Sequence, residues 1–589
     1  MCGIAGELRF DRSLADAAAV TRMMERMVMR GPDGSGVLAR GSVALGHRRL
    51  KIIDLSERAQ QPMIDAQLGL NLVFNGCIYN HHELRSELEG LGYRFFSQGD
   101  TEVILKAWHA WGAESVKRFN GMFACAIHER DSGRVHLLRD RLGIKPLYLD
   151  QRPGMLRFAS SLPALLAAGG VDTDIDGVGL HHYMSFHAVV PAPQTILKGV
   201  RKLPPATIAT IEADGRMSTQ CYWRPTFATP EDRLHWRAED WEEAVMQQLR
   251  QAVKRRLVAD VEVGVLLSGG LDSSLIVGLL AEAGQGLQTF SIGFESVGEE
   301  RGDEFQYSDI IAQHFGTQHH QIFVHTDEFL PNLPKAIGAM NEPMVSHDNI
   351  GFFLLSREVA KHVKVVQSGQ GADEIHAGYR WYPPLLDTDD ALACYRQHFF
   401  DRSHEEFCAD VHPRFHAEDY SGALVAAHFA QPGAEAAVDK ALRLDTTIML
   451  VDDPVKRVDS QTMAWGLEAR VPFLDHEFVE LSAQVPGHLK CAEDGKGILK
   501  QGARKIIPAS VIDRPKGYFP VPALKYLRGP YLELVRDSLH SQAARQRGIF
   551  NPQRIDEMLA KPDEQITPLQ GSKLWQCALL ELWLQEQGI

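Results

Sequence analysis

The chain has 589 residues, which is too long for one hydrophobic core and predicts two or more domains. Hydrophobic residues make up 44% of it and charged residues 23%, proportions that are ordinary for a soluble globular protein. The net charge of −14 argues against a nucleic-acid partner, because phosphate binding favours a basic surface, although it leaves room for a local basic pocket.

The cysteines and the N-terminus bear on the cellular setting. Eight cysteines are scattered along the chain without a C-x-x-C pair, so we expect neither a zinc site nor a disulfide framework, and a cytoplasmic location. The N-terminus lacks the charged leader and apolar stretch of a signal peptide. No apolar run approaches the roughly 20 residues that a membrane helix needs, so we expect no membrane partner.

Residues 2–210 are predicted to form a first domain that is mostly β. Short apolar runs alternate with turns in this half, and two helical patterns intervene. A polar stretch at 226–240 looks like a linker to the second domain. The predicted strands include 43–45, 72–74, 123–127 and 135–138, and the predicted helices are 83–91 and 101–111.

Residues 240–589 are predicted to form a second domain of a different character. Buried strands alternate with helices, which indicates a parallel sheet covered on both faces, and the stretch 380–589 is predominantly helical. The predicted strands are 261–267, 289–294, 321–324 and 363–367, and the predicted helices are 242–258, 273–282 and 307–315.

The string Ser-Gly-Gly-Leu-Asp-Ser-Ser at 268–274 lies between a buried strand and a helix. Gly269 and Gly270 let the backbone approach phosphate oxygens, and the helix start offers free N–H groups. Ser268 and Ser273 add hydroxyl donors, while Asp272 makes sense if it holds Mg²⁺ against the pyrophosphate. The string resembles the pyrophosphate loop of the ATP pyrophosphatase group. The alternative is a glycine-rich turn in which Asp272 caps a helix.

A second loop, Ser-Gly-Gln-Gly-Ala-Asp-Glu at 368–374, follows another apolar strand. In a parallel sheet both loops emerge at the carboxyl ends of their strands, where ligands bind. We therefore interpret Asp373 as a second metal ligand that faces Asp272. The alternative is a second helix cap.

Cys2 becomes the first residue if Met1 is removed. A terminal cysteine carries its own base, because its α-amino group, with a pKa near 8, lies beside a thiol with a pKa near 8.5. Taken alone, a cysteine at position 2 is more often incidental.

Polar motifs in order behind Cys2 match the needs of a glutamine ligand. Arg49 supplies a cation for the α-carboxylate, and Asp100 an anion for the α-ammonium group. The Asn75 amide and the Gly76 N–H supply donors for an oxyanion. Singly, Arg49 and Asp100 are more often a surface ion pair.

Together these motifs resemble the glutamine-hydrolysing asparagine synthetase family, from Cys2 to about residue 519. Gly-Met-Phe-Ala at 121–124 and longer strings at 139–148 and 467–475 also match. The resemblance implies an N-terminal-nucleophile hydrolase fold, an αββα sandwich, joined to a parallel-sheet ATP pyrophosphatase domain, related to the adenine nucleotide α-hydrolases, with a helical C-terminal part. It implies ATP and Mg²⁺ as cofactors and glutamine and a carboxylate acceptor as substrates. A homodimer is a further prediction, which no sequence pattern decides.

The resemblance also implies roles for individual residues. Cys2 attacks the glutamine amide and forms a glutamyl thioester, and an internal channel carries the ammonia to the second site. Lys516 matches the lysine that stabilises charge at the activated carboxylate. Arg49, Asn75, Gly76 and Asp100 match the glutamine site, Leu266, Ile292, Ser368 and Gly369 match positions around ATP, and Asp272 and Asp373 match the Mg²⁺ ligands.

Two residues depart from the family pattern. Cys77 replaces a glutamate in Asn-Gly-Glu-Ile-Tyr-Asn, which weakens one contact to the glutamine ammonium group; we expect glutamine hydrolysis to survive. Gln370 replaces the glutamate of Ser-Gly-Glu-Gly at the acceptor site, and a neutral amide holds an ammonium group less well. Gln370 therefore favours an acceptor without a free α-amine.

The surroundings of Gln370 look most like the N-acetylglutaminylglutamine amidotransferase branch, whose members amidate a blocked dipeptide to make an osmoprotectant. Trp381 and Tyr382 either line a roomier acceptor pocket or pack a helix start. Three alternatives stay open: an asparagine synthase that acts on aspartate, a binding or regulatory protein without the chemistry, and a β-lactam-forming relative. Members of the last group do not need the N-terminal cysteine that this chain keeps.

Overall fold

The computed structural model describes residues 2–284, 286–295, 302–514, 524 and 527–589. The strands in chain order are β1 Gly3–Arg9, β2 Gly34–Arg40, β3 Val43–Arg49, β4 Met63–Asp65, β5 Leu70–Ile78, β6 Gly121–Glu129, β7 Val135–Arg139, β8 Tyr148–Arg152, β9 Met155–Ala159, β10 Arg201–Lys202, β11 Thr207–Ile211, β12 Met217–Cys221, β13 Val263–Leu266, β14 Gln288–Phe294, β15 Gln318–Val324, β16 Val365–Gln367 and β17 Glu468–Arg470.

The first twelve strands form two six-stranded antiparallel sheets. One has the order β10-β8-β9-β1-β3-β2, and the other has the order β12-β11-β7-β6-β5-β4. The sheets pack face to face through alternating apolar side chains, such as Leu45 and Phe158 of the first against Val73 and Leu137 of the second. The α-helices of this half are Ala17–Arg26, His81–Gly90, Asp100–Trp111, Ser115–Arg118, Leu162–Ala168 and Gly177–Ser185.

Helices cover the outer face of each sheet. Met23 and Leu165, from helices Ala17–Arg26 and Leu162–Ala168, belong to a core with Ala5 of β1. On the other side, Leu84 and Ile104 pack with Phe74 of β5. The expected αββα sandwich is therefore confirmed.

The second half is built on a five-stranded sheet with the order β15-β14-β13-β16-β17, in which every pairing is parallel. Val265 and Leu275 share a core on one face, and Val366 and Leu354 share a core on the other. Its α-helices as far as residue 375 are Ala238–Arg255, Leu271–Glu282, Phe305–Phe315, Phe329–Ala339, Asn349–Val359 and Ala372–Ile375. The expected parallel sheet with helices on both faces is confirmed.

The rest of the described chain is helical apart from β17. One helical segment contains consecutive π-helical turns, Asp445–Met449 and Val451–Val455, which lead into Lys456–Met463. The α-helices of this part are Ala391–Phe399, His404–Asp410, Tyr420–Phe429, Ala437–Leu444, Lys456–Met463, His476–Gln484, Gly487–Cys491, Gly497–Ala503, Ala509–Ile512, Pro530–Leu539, Gln542–Arg547, Pro552–Ala560 and Lys573–Glu586. In the part of the chain that the structure describes, no helix is both long and apolar enough to cross a membrane.

Buried ion pairs join the two halves. Asp459 pairs with Arg30 at 3.0 Å and with Lys145 at 3.3 Å, and all three side chains are buried. Lys202 reaches Asp452 at 2.5 Å. Because a buried charge left without its partner costs about 3–5 kcal/mol, these contacts fix how the halves dock.

Candidate active site

Cys2 is buried immediately before β1. Its backbone N–H donates to Asn75 Oδ1 at 3.0 Å, and the Leu50 N–H donates to its sulfur. Burial raises the pKa of the Cys2 thiol above its ordinary value, although the Leu50 N–H and Arg49 act in the opposite sense. A thiol of this kind needs a base beside it to become a nucleophile at neutral pH.

Asn75 and Gly76 lie side by side on β5, next to β6. Asn75 Nδ2 is buried and has no hydrogen-bond partner within the described residues. An unsatisfied buried donor costs about 1–3 kcal/mol, so its presence beside Cys2 indicates a place for a ligand oxygen. A side chain at Gly76 would collide with the Met122 carbonyl, since its Cβ would lie 2.1 Å from that oxygen.

Arg49 ends β3, and Asp100 begins the helix Asp100–Trp111. Both side chains are buried, so the surface ion pair considered for them is excluded. Arg49 donates to the Ser56 carbonyl at 2.8 Å and to the Asp54 carbonyl. Burial raises the pKa of Asp100 to about 6, although its carboxylate accepts the Ile78 N–H at 3.0 Å.

One cavity brings these residues together. Its lining includes five of the predicted residues, Cys2, Arg49, Gly76, Cys77 and Asp100. Asn75 is not part of the lining and joins the site through its hydrogen bond with the Cys2 N–H. Burial raises the pKa of the Cys77 thiol far above its ordinary value, so position 77 contributes no charge.

Two further residues of this cavity come from the second half of the chain. Glu468 and Arg470 lie on β17 and are both buried, with Arg470 Nε donating to Glu468 Oε1 at 2.6 Å. Burial alone would raise the pKa of Glu468, but the positive charges of Arg470 and Lys145 help to hold it at about 2. The string at 467–475 was predicted only as a family match and not as part of the glutamine pocket. Its one usable signal was spacing, since residues two apart on a strand face the same side.

The first phosphate loop joins β13 to the helix Leu271–Glu282. Ser273 Oγ accepts the Ser268 N–H at 3.2 Å, and Ser268 Oγ accepts the Gly270 N–H at 3.3 Å. Gly269 has φ +72°, and its Cβ would lie 2.7 Å from the Ser308 nitrogen, so this turn requires glycine. The loop thus closes on itself and presents the start of the helix to the cavity.

The second loop follows β16, which pairs directly with β13. The two loops touch, because a Cβ on Gly369 would lie only 2.9 Å from Asp272 Cβ. A cavity of about 210 Å³ opens between them. Its lining includes Gln370 and all but one of the residues predicted around ATP and the metal, namely Leu266, Ser268, Gly270, Asp272, Ser273, Ile292, Ser368, Gly369 and Asp373. Gly269 is the exception.

Lys496 holds the two predicted metal ligands together. Its Nζ lies 2.7 Å from Asp272 Oδ2 and 2.9 Å from Asp373 Oδ2. Burial lowers the pKa of Lys496, but the two carboxylates more than offset this and raise it above its ordinary value. Two carboxylates that converge on one cation fit a hard divalent metal such as Mg²⁺. Sequence reasoning missed Lys496, which lies outside both loops.

Trp381 and Tyr382 do not line this cavity. Both donate to the buried carboxylate of Asp445, Trp381 Nε1 at 3.0 Å and the Tyr382 hydroxyl at 2.6 Å. These contacts support packing at a helix start for Trp381 and Tyr382, and not a place in the wall of the acceptor pocket. Lys516 lies outside the described residues.

The two cavities together define a class of enzyme. An αββα domain with a buried cysteine at position 2, docked on a parallel sheet with two glycine-rich loops, fits an ATP-dependent carbon–nitrogen ligase with glutamine as the amide donor. Residues 1–223 match the family model described as "Glutamine amidotransferase domain", and residues 244–585 match the one described as "Asparagine synthase". The chain belongs to the glutamine-hydrolysing asparagine synthetase family.

Individual relatives span most of the chain. Asparagine synthetase (glutamine-hydrolyzing) 1 of Bacillus subtilis strain 168 is 30% identical over 582 residues, which cover 91% of this chain and 89% of the relative. Asparagine synthetase (glutamine-hydrolyzing) 3 of the same strain is 30% identical, with 88% and 87% covered. Asparagine synthetase B (glutamine-hydrolyzing) of Escherichia coli K12 is 28% identical, with 88% and 82% covered. These matches confirm the resemblance to the family. The family uses ATP, as expected. The domain limits of 2–210 and 240–589 stay a prediction.

Proposed function

We propose that this amidotransferase transfers glutamine-derived ammonia to the C-terminal carboxylate of N-acetylglutaminylglutamine. The observation that carries the proposal is the position of Gln370 in the wall of the cavity beside Gly369 and Asp373. A primary amide is neutral and cannot pair with an ammonium group as a carboxylate does. An acceptor with a blocked amine has no such group to bind.

The other charges of the cavity support the same conclusion. Asp272 and Asp373 share Lys496, as described above. Glu304 accepts two hydrogen bonds from the Arg514 guanidinium, at 2.9 and 3.1 Å. Asp348 lies 3.4 Å from Arg457. These carboxylates already have cationic partners, so each would have to give up a contact to hold a substrate ammonium group.

Asp303 lines the same cavity and accepts the backbone N–H of Phe305 at 3.3 Å. Asp303 is therefore the residue to examine if an acceptor with a free amine is bound. Asp303 lies beside Glu304 on the segment that precedes the helix Phe305–Phe315.

For the first half we propose a nucleophilic mechanism at Cys2. Once Met1 is removed, the α-amino group takes the thiol proton, and Sγ attacks the amide carbon of glutamine. The proton passes to the departing nitrogen, ammonia leaves, and water cleaves the glutamyl thioester to give glutamate. Asn75 Nδ2 and the Gly76 N–H receive the oxyanion, while Arg49 and Asp100 hold the α-carboxylate and α-ammonium groups.

For the second half we propose that the two loops hold the nucleotide. When bound, ATP with Mg²⁺ would supply the adenylyl group that activates the acceptor carboxylate with release of pyrophosphate, and ammonia would then displace AMP to give the amide. Ser268, Ser273 and the N–H groups at the helix start would bind phosphate oxygens. Asp272 and Asp373 would hold the metal, and Leu266 and Ile292 would lie around the nucleotide. Lys516 remains a predicted charge-stabilising residue.

The second candidate is asparagine synthesis from aspartate. It is favoured by the names of the relatives above, which are asparagine synthetases, and by the family to which the chain belongs. It requires the cavity to hold the aspartate ammonium group without the glutamate that Gln370 replaces.

The experiment offers each acceptor to the purified protein. The enzyme is incubated with ATP, Mg²⁺, glutamine and either N-acetylglutaminylglutamine or aspartate, and the acid-to-amide mass change and AMP are measured. We expect the dipeptide to be amidated, with AMP formed. Amidation of aspartate but not of the dipeptide would replace this proposal by the second candidate, and absence of AMP with every carboxylate would indicate a binding protein.

The matched variant is Gln370→Glu, which restores the family's carboxylate with almost the same side-chain volume. We expect it to lower kcat/KM for the blocked dipeptide by about tenfold or more, because it places a charge in the acceptor site, while glutamine hydrolysis is unchanged. An unchanged kcat/KM for the dipeptide would show that residue 370 does not determine which acceptor the enzyme uses.

A further inference from the structure

A cluster of two imidazoles and a carboxylate lies away from both cavities, where the halves of the chain meet. His181 belongs to the helix Gly177–Ser185 of the first half. His404 begins the helix His404–Asp410, and Asp419 precedes the helix Tyr420–Phe429, both in the second half. His181 is fully buried, while His404 and Asp419 are half-buried. The cluster therefore spans the interface and still has access to water.

The three potential ligand atoms have metal-site spacing. His181 Nε2 lies 3.1 Å from His404 Nδ1 and 3.8 Å from Asp419 Oδ1, and all three atoms fall within 4.8 Å of one another. Two imidazole nitrogens bound to Zn²⁺ at about 2.0–2.1 Å with a tetrahedral angle lie about 3.3 Å apart. The first separation lies within about 0.2 Å of this value, and the second is about 0.5 Å longer.

The atoms behind the ligands are arranged as metal sites require. His181 Nδ1 lies 2.9 Å from Ser421 Oγ, which lies 3.1 Å from His182 Nδ1. With the proton of His181 on Nδ1, the hydroxyl accepts from His181 and donates to His182, and the Nε2 lone pair of His181 is then available to a metal. Such contacts to the second ring nitrogen set the tautomer and orientation of metal-bound histidines.

The other two ligands are held in the same way. Arg396 donates to Asp419 Oδ2 at 2.6 Å, so it orients the carboxylate through the oxygen that faces away from His181. Cys408 Sγ lies 3.6 Å from His404 Nε2, where it can accept a hydrogen once Nδ1 binds a metal.

We propose that His181, His404 and Asp419 bind one Zn²⁺ ion that ties the glutaminase half to the helical part of the synthetase half. Two imidazoles and one carboxylate suit zinc, with water in the fourth position. The cysteine pattern predicted no zinc site, and this one rests on histidines from distant segments. Its position at the interface makes it a structural clamp, separate from the chemistry at Cys2 and at the phosphate loops.

The test measures zinc binding by the full-length protein. Both parent and variants carry Cys2→Ala, because an N-terminal aminothiol itself chelates zinc, and Mg²⁺ is kept in excess to occupy Asp272 and Asp373. Zn²⁺ is titrated in competition with a chromophoric chelator. We expect one equivalent per chain in the parent and at least about 100-fold weaker binding in His404→Gln, since loss of a ligand exceeds the 10- to 100-fold cost of losing an outer contact. No bound zinc in the parent would overturn the proposal.

Two more variants separate ligation from folding. Asp419→Asn keeps the helix cap, because an asparagine oxygen still accepts the Gly422 N–H that Asp419 accepts at 2.9 Å, but it removes the charge. Ser421→Ala removes only the outer contact and should weaken zinc by about 10- to 100-fold. If all three variants bind zinc like the parent, the cluster is only a hydrogen-bonded His–His–Asp chain and the proposal fails.

The control is His540→Gln, at an exposed pair in which His540 Nε2 lies 2.9 Å from Asp556. We expect its zinc affinity to equal that of the parent. An equal loss in this variant and in His404→Gln would show that the titration reports surface histidines, which contradicts the assigned site. Zinc should also raise the melting temperature of the parent and leave that of His404→Gln unchanged at the same concentration.

Discussion

Asp100 is the residue whose environment most directly sets how the first cavity responds to pH. Its carboxylate is buried at a helix start, and burial raises its pKa to about 6. The group is therefore neutral below that pH in the free protein and charged above it. Only the charged form pairs with the ammonium group of glutamine.

The ionisation of Asp100 sets the direction in which glutamine affinity changes with pH. We expect glutamine affinity to be constant between about pH 7 and pH 8 and to fall by up to tenfold for each pH unit below about 6, because binding must first ionise Asp100. Calorimetry with the Cys2→Ala protein, which binds glutamine without turning it over, measures this. In Asp100→Asn we expect weak binding with a flat profile. Equal affinity at about pH 5 and pH 8 in the parent would contradict the role given to Asp100.

Site residues could be predicted from the sequence where they lie in short motifs with a recognisable chemical role. Cys2, Arg49 and Asp100 lie in recognisable strings, and the structure brings them to one cavity. Glu468 was predicted only as part of the family string at 467–475, and Lys496 was missed altogether, because each reaches its site across the fold from a distant segment. A buried lysine between two aspartates is visible only when the distances of 2.7 and 2.9 Å are known.

At the scale of elements, the two phosphate loops act as a pair. Parallel pairing of β13 with β16 places Val265 opposite Gln367, so both strands end at the same level and their loops emerge together. The alternation of buried strands and helices predicted this arrangement.

The limits of single strands were less predictable. β15 begins at Gln318, ahead of the predicted apolar run, because backbone pairing with β14 holds polar residues such as His319 in the strand.

The contact between the loops leads to a test at Gly369. Gly369→Ala places a Cβ 2.9 Å from Asp272 Cβ, so the loops must separate, and a shift of this kind costs about 10- to 100-fold in rate. We expect glutamine- and ammonium-dependent AMP formation to fall together while glutamine hydrolysis continues. Gly338→Ala is the control, since its Cβ would meet only Glu586 Oε2 at 3.7 Å. Full AMP formation in Gly369→Ala would mean that the loops do not act as one site.

At the scale of the whole molecule, the question is how two cavities in different domains work as one enzyme. β17 of the synthetase half contributes Glu468 and Arg470 to the glutamine cavity, and Asp459 pairs with Arg30 and Lys145 across the interface. The halves therefore share residues at the first cavity itself. An ammonia channel between the cavities and a homodimer both stay predictions, since sequence patterns define neither a path through the interior nor a docking face.

The most direct test of two linked sites uses Cys2→Ala with two nitrogen sources. The variant lacks the thiol that releases ammonia, and its second cavity is untouched. We predict that it forms no amide with glutamine but forms amide from ammonium chloride at the rate of the unmodified protein, with AMP in equal amount. Amide formation that is lost equally with glutamine and with ammonium chloride would contradict the account.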